Sequence, residues 1–324
     1  MEFSFLTMGT ASALPTANRY PSAHVLTVRE RLFLIDCGEG AQMQLRKYGV
    51  SFARIDNIFI SHLHGDHLFG LFGLLSTMAM GGRSNALNIY APSGFSKVLE
   101  FFMENFGEGI KYPIEFHPLG CSEPVKIYEC KQVEAYAFPL VHRSETYGFL
   151  FKEKQPQLNV HKHKIESHNL SLYEIARLKE GLDIVRKSTF TDDDGTEVEY
   201  DETLHNADFT YYPYIPRSFA YCTDTMPFKR LYNWIKGADL VYHDSTYTKE
   251  FADLAKTTFH STSSDAACCA KEAGAGKLVL GHYSSRYKSL DTMLNEALEI
   301  FPNTCLAKEG MKFEVPLKKF KEQL

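Results

Sequence analysis

Residues 61–67 read Ser61-His62-Leu63-His64-Gly65-Asp66-His67, an H-x-H-x-D-H pattern that packs four metal-ligating side chains into six residues. The apolar run Ile58-Phe59-Ile60 leads into it and the apolar stretch after His67 leads away. The pattern predicts a strand end, a glycine-containing turn and a helix start. Such a turn aims all four side chains at one point, and imidazole with carboxylate suits zinc. Four ligands from one loop do not fill two tetrahedral sites, so distant ligands are needed. His142 follows Ala137-Phe138-Pro139-Leu140-Val141, Asp224 follows Phe219-Ala220-Tyr221-Cys222-Thr223, and His282 follows Leu278-Val279-Leu280-Gly281. Each is a polar residue directly after an apolar strand, where side chains from separate strands converge on a shared rim.

The rest of the chain narrows the function classes. Its 324 residues are 44% hydrophobic and 23% charged, ordinary for a protein with a sizeable core. Lys and Arg number 35 against 40 Asp and Glu, a net charge of −5 that excludes a uniformly basic nucleic-acid coat but not a local basic patch. Between Lys152 and Lys187 there are eight Lys/Arg against five acids, an excess of +3. That polar excursion reads either as a solvated surface segment or as an arm that touches a polyanion. The seven cysteines are odd in number and contain no C-x-x-C, which argues against a disulfide framework and against a cysteine zinc site. The N-terminus carries Glu2 and no basic leader, and the longest apolar stretch, Leu68–Met80, is too short to span a bilayer. A soluble cytoplasmic protein without membrane contact is the expectation.

Strands followed by helices occur twice, before Lys152 and after Arg217, and predict two sheets packed face to face with helices outside. Helices are expected over Ser96–Asn105 and Leu170–Lys179, and a hairpin turn at Asp194-Gly195.

With these segments in order, the chain resembles the metallo-β-lactamase superfamily and, within it, the ribonuclease Z family of tRNA 3′-processing endonucleases. Leu34-Ile35-Asp36-Cys37-Gly38-Glu39-Gly40-Ala41-Gln42 resembles the family's segment before the metal loop, and Tyr221-Cys222-Thr223-Asp224-Thr225 its bridging-aspartate segment. His243-Asp244-Ser245-Thr246 resembles its H-E-A-T motif with aspartate in place of glutamate. His260-Ser261-Thr262 and Gly281-His282-Tyr283-Ser284-Ser285-Arg286-Tyr287 resemble its last two motifs. The likeness runs from Met8 to about Tyr287 and is weakest between Lys152 and Asn206.

The resemblance implies an α/β protein: a single metallo-β-lactamase-like domain over 1–324, an αββα four-layer sandwich, with an extruded arm inserted at about 152–206. It implies two zinc ions per chain, one on His62, His64 and His142, the other on Asp66, His67 and His282, with Asp224 bridging. The implied reaction is zinc-dependent removal of 3′ trailers from precursor tRNA by metal-hydroxide attack on a phosphodiester. It leaves a tRNA 3′-hydroxyl and a trailer 5′-phosphate. Asp66 is then both ligand and proton acceptor, and His260 faces the scissile phosphate and serves the leaving 3′ oxygen. Asp244 is placed to orient His260, and Asp36, at its strand end, to orient a ligand. A homodimer is implied, as are RNA contacts by Lys162, Lys164, Arg177 and Lys179 of the arm. The loop Pro15-Thr16-Ala17-Asn18-Arg19-Tyr20 keeps Pro15 and Arg19 of the family's P-x-K-x-R-N and is placed near the RNA end. A general phosphodiesterase is the main alternative, and a non-catalytic RNA-binding protein a weaker one, since all seven ligand positions are filled.

Overall fold

In the computed structural model, which describes residues 1–319, the chain divides into two units: Met1–Glu153 with Arg217–Pro316, and Lys154–Pro216 with the described residues from Leu317 onward. Runs rich in Val, Ile, Leu and Phe supply the larger unit with two seven-stranded sheets. From edge to edge, the first runs Lys312–Glu314, Phe3–Gly9, Ala23–Val28, Arg31–Cys37, Ile55–Phe59, Leu87–Pro92 and Ile114–Leu119. The second runs Thr304–Leu306, Leu278–Gly281, Leu240–Asp244, Ser218–Cys222, Tyr147–Glu153, Val133–Pro139 and Val125–Glu129.

Three apolar layers hold the larger unit together. Phe5, Phe33 and Phe59 of the first sheet meet Phe149, Phe151, Phe219 and Tyr242 of the second in the central core. Leu71, Leu74, Leu75 and Phe95, on the helices Gly70–Met80 and Phe95–Phe106, cover the outer face of the first sheet. Leu231, Ala266, Ala270, Met293 and Ala297 cover the second in the same way. The layers are therefore αββα. Among the described residues, no helix is long and apolar enough to cross a membrane.

Strand direction positions the site. Arg31–Cys37 pairs parallel with Ile55–Phe59, and Ser218–Cys222, Leu240–Asp244 and Leu278–Gly281 pair parallel in turn. Cys222 lies opposite His243 and Asp244 opposite Gly281, so the residues that follow these strands leave from one rim. Backbone bonds tie the two sheets together there. Tyr147 N–H donates to Ser61 O at 2.9 Å, and Tyr283 N–H to Thr10 O at 2.8 Å.

Two edge strands go unpredicted by periodicity, Ile114–Leu119 and Thr304–Leu306. The first contains Pro118, which an edge tolerates because one side of the strand needs no donor. The second is three residues long, too short for a pattern. The helix expected over 96–105 extends one residue further at each end.

The smaller unit has its own core of Val160, Leu170, Leu178, Ile184, Leu204 and Phe209. Its helix Leu172–Lys179 begins at a capping box, Ser171 with Glu174, that satisfies two end N–H groups. Ile184–Thr191 and Glu197–Leu204 form a two-stranded ribbon turned at Gly195, whose φ of +82° suits glycine. Asn159–Val160 pairs with Thr210–Tyr211, which carries this unit past 206 to Pro216.

Candidate metal centre

The loop after Ile55–Phe59 leads into a helical turn, Gly65–Leu68, and presents His62, His64, Asp66 and His67 at the rim. Gly38 lets it dock: a Cβ there would fall 2.2 Å from the backbone oxygen of Asp66. His142, Asp224 and His282 arrive from the second sheet. Ligand atoms of His62, His64, His142 and Asp224 gather in one group, those of Asp66, His67 and His282 in another. All seven positions expected from sequence thus come together.

Asp224 faces both groups. Its Oδ2 lies 3.6 Å from His62 Nε2 and 3.8 Å from His142 Nε2, and its Oδ1 3.3 Å from His67 Nε2 and 3.1 Å from His282 Nε2. Asp66 Oδ2 is 3.5 Å from His67 Nε2 and 3.6 Å from His282 Nε2, and those two nitrogens are 3.3 Å apart. Ligands about 2.1 Å from a tetrahedral ion stand about 3.4 Å from each other. The spacing fits such an ion in each group, and His62 Nε2 with His64 Nδ1 closes the first at 2.9 Å.

The far side of four of these imidazoles, those of His62, His67, His142 and His282, is held by a hydrogen bond that fixes the ring. His142 Nδ1–H donates to Phe259 O at 3.0 Å, and His67 Nδ1–H to Asp36 Oδ2 at 2.7 Å. Ser61 Oγ–H donates to Asp36 Oδ2 at 2.9 Å, leaving that hydroxyl to accept from His62 Nδ1–H at 3.0 Å. Thr246 Oγ1 donates to Asp244 Oδ1 at 2.6 Å and accepts from His282 Nδ1–H at 3.0 Å. Sequence reasoning left Ser61 and Thr246 without roles, although both stand inside quoted motifs.

Backbone strain concentrates in this frame. Asp36, Phe259, His282 and Ala13 are four of the six described non-glycine residues with positive φ. Each either carries a site side chain or offers a backbone group to one, Ala13 N–H donating to Asp66 Oδ2 at 2.8 Å. Such conformations cost about 1–3 kcal/mol each and persist where the surroundings over-determine them.

The charges point the same way. Burial drives His62 well below the ordinary imidazole range, and His142 below it as well. Burial also opposes charge on His67 and His282, yet Asp224, with Asp66, Asp36 and Asp244 nearby, holds His67 well above that range and His282 up to about 10. Asp66 and Asp224 sit below the usual carboxylate range; burial opposes this, and His67 and His282 outweigh it. The carboxylates demand positive charge here. Two imidazolium protons or divalent cations both supply it, and cation binding releases the protons.

His260 is not in either of these groups but forms a third close group with Asp224 and His282. Its Nδ1 lies 2.9 Å from Asp244 Oδ2, so the short aspartate side chain reaches it. Asp244 is fully buried and also accepts from the N–H groups of Thr225, Thr246 and Ser261 at 2.9–3.2 Å. Burial opposes charge on His260, and Asp244 raises its pKa nonetheless. His64, Asp66, His142, Asp224, His260 and His282 border one cavity of about 200 Å³.

Arg19, an expected RNA contact, does not border this cavity. Arg19 turns inward: Nη2 donates to Tyr287 O at 2.9 Å and the guanidinium carbon sits 5.6 Å from the Tyr283 ring centre. Lys162 and Lys164 are on the helix Lys162–Ser167, Arg177 and Lys179 in the last turn of Leu172–Lys179. These two helices hold four Lys/Arg against two acids, Glu166 and Glu174. Counted over 154–216 the insertion holds seven Lys/Arg against twelve Asp/Glu, a net −5, because 192–202 adds seven acids and no base. That stretch is the turn and second strand of the ribbon, whose cations Arg186 and Lys187 are paired with Glu202 and Asp201.

Two helix-covered sheets with a histidine–aspartate cluster at their common rim define the metallo-β-lactamase fold. The metallo-β-lactamase fold protein YhfI of Bacillus subtilis matches it with a TM-score of 0.67 at 17% identity, over 97% of this chain and 100% of that one. Human tRNase Z, short form, matches with a TM-score of 0.69 at 26% identity, over 97% and 99% of the two chains. Ribonuclease Z of Porphyromonas gingivalis is 39% identical over 313 residues, 97% of this chain and 99% of the relative. The chain belongs to the ribonuclease Z family. A family profile for the anti-Pycsar protein Apyc1 also matches, over residues 3–160, a stretch that includes 61–67 and His142 but stops short of Asp224, His260 and His282.

Proposed function

We propose that the protein is a zinc-dependent endoribonuclease that removes 3′ trailers from precursor tRNA, acting as a cytoplasmic homodimer with two zinc ions per chain. The observation that carries this reading is the near-full-length relatedness to ribonuclease Z in a chain whose seven ligand-type side chains converge.

In this reading His62, His64 and His142 would hold one ion and Asp66, His67 and His282 the other, with Asp224 available to both. Two divalent ions bound there supply Lewis acidity to the phosphoryl oxygens and acidify water near neutral pH. The protein's own groups do the rest. Asp66, its Oδ2 fixed by Ala13 N–H, accepts the proton of the attacking water. His260, whose pKa Asp244 raises, gives a proton to the leaving 3′ oxygen. Asp36 acts through His67 and, by way of Ser61, through His62. On the arm, the two cationic helices meet RNA phosphates, and the acidic ribbon does not.

The test is to incubate the zinc-loaded protein with a tRNA carrying a 3′ extension and map the cut. A single cut leaving a tRNA 3′-hydroxyl and a trailer 5′-phosphate is expected. Hydrolysis of a small chromogenic phosphodiester without cleavage of the RNA overturns the assignment in favour of a general phosphodiesterase.

A further inference from the structure

We infer that a basic cleft formed by Lys47, Lys288, Lys308 and Arg19 binds phosphate groups of the RNA backbone away from the cut. The inference rests on the ribonuclease activity proposed above. The cleft has a volume of about 470 Å³ and contains no metal-ligating cluster among the described residues.

Its lining carries a net positive charge, four cations against two acids, Asp291 and Glu309. Both acids already serve the protein. Glu309 Oε1 accepts from Thr10 N–H, Thr10 Oγ1–H and Tyr20 N–H at 2.9–3.2 Å, and Asp291 Oδ2 accepts from Ser289 Oγ–H at 2.6 Å. Lys47, Lys288 and Lys308 are exposed and, among the described residues, have no carboxylate partner; Lys47 rests only against the Tyr48 ring, 5.3 Å from its centre. Arg19 adds a fourth cation to the lining. Its Nη1 is buried and bonded to nothing in the protein, while Nη2 is satisfied by Tyr287 O. A buried guanidinium N–H without an acceptor is costly, and a phosphate oxygen is a strong acceptor for it.

Position gives the cleft its ligand. Ser12 and Ala13 border the metal cavity, whereas Thr10, Asn18 and Arg19 border the cleft, so one loop separates the two. Ser12 N–H to Tyr283 O at 3.0 Å and Tyr283 N–H to Thr10 O at 2.8 Å pin that loop beside His282. A nucleic-acid strand with its scissile group in the metal cavity reaches the cleft by crossing this loop. Three flexible ammonium groups from three separate segments suit the phosphates of a backbone rather than a base edge. The same chemistry also accepts free phosphate, and the experiment separates the two sources.

The variant Lys47→Gln/Lys288→Gln/Lys308→Gln is compared with the wild-type full chain, both zinc-loaded. Cleavage of 3′-extended tRNA, its binding on filters over a range of salt, and hydrolysis of a small chromogenic phosphodiester are measured. The ratio of kcat/KM for tRNA to that for the small diester is expected to fall about tenfold, through KM. The slope of log binding constant against log salt should shrink by about 2–3, because three fewer cations displace counterions from the backbone. Unchanged tRNA binding and an unchanged slope overturn the inference. Inorganic phosphate altering small-diester hydrolysis in the wild type but not in the variant, with RNA binding equal, assigns the cleft to free phosphate and overturns the RNA source. If the wild type does not cut the tRNA at all, the proposed activity fails, and filter binding still decides whether the cleft holds RNA.

Discussion

Asp36 Oδ2 accepts the Nδ1 proton of His67 at 2.7 Å, with both side chains fully buried. The same oxygen accepts from Tyr221 Oη–H at 2.7 Å and Ser61 Oγ–H at 2.9 Å, and Oδ1 accepts from Ser61 N–H at 2.8 Å. One carboxylate thus orients the His67 ring and, through Ser61, the His62 ring. Asp36→Asn is expected to weaken zinc binding by about 10–100-fold, the usual effect of removing such a partner. Tyr221→Phe, which removes a single donor, should cost less. Competition with a chromogenic chelator measures both, and an Asp36→Asn protein with wild-type zinc affinity would refute the orienting role.

Three substitutions separate ligand from proton carrier. Asp224→Ala should lose metal, because both groups use its oxygens. Asp66→Ala should abolish cleavage in a folded protein. His260→Ala should lower RNA turnover about 10²–10⁴-fold, the range for a general acid, with two zincs per chain still found by mass spectrometry. Zinc loss in His260→Ala would make that residue a ligand.

Asp244 reaches both His260 and Thr246, which holds His282. Asp244→Ala should therefore lower kcat and also loosen zinc, whereas Thr246→Val should loosen zinc more than it lowers the kcat of the fully loaded enzyme. Turnover titrated against added zinc distinguishes the two; identical curves would argue against separate roles.

The arm is divided by charge, so its halves should respond oppositely. Neutralising Lys162, Lys164, Arg177 and Lys179 to Gln should weaken tRNA binding and reduce its salt slope by about 3, close to one increment for each phosphate no longer neutralised. Asp192→Asn/Asp193→Asn/Asp194→Asn on the ribbon turn should strengthen binding slightly at low salt, since it removes repulsion. Equal weakening by both variants would show that the segment is structural.

Glu153 and Arg217 form a buried bidentate pair, with Nε to Oε2 and Nη2 to Oε1 both at 2.9 Å. Burial raises the Glu153 pKa, and the bonds from Arg217 outweigh it, so the carboxyl titrates below its ordinary value of 4.5. Its stabilisation is present above about pH 4.5 and is lost as pH falls through the depressed value. Glu153→Gln leaves Arg217 buried without its bidentate counter-charge and should cost about 3–5 kcal/mol at pH 7. Urea melts at pH 7 and pH 4 check this: the gap between wild type and variant should narrow at the lower pH, and a constant gap would contradict it.

The amino-acid order by itself determined the metal loop, the strand ends that bring His142, Asp224 and His282, and the two-sheet architecture. These are local signals: a ligand spacing within seven residues, or an apolar run followed by one polar residue. Of the arm's two basic helices only the second is legible, expected from Leu170 and starting at Leu172. The short helix Lys162–Ser167 carries too few apolar residues for a pattern. The acids beyond Lys187 are legible as composition. Only the tertiary structure decided which oxygen of Asp224 meets which histidines, that Asp244 reaches His260, and that Arg19 turns inward to Tyr287. It also decided that Lys47, Lys288 and Lys308 share one cleft. Those relations join residues tens to hundreds of positions apart, and parallel pairing sets them by bringing distant strand ends to one rim. Hydrogen-bond partners at about 3 Å depend on side-chain direction, which composition and periodicity do not carry.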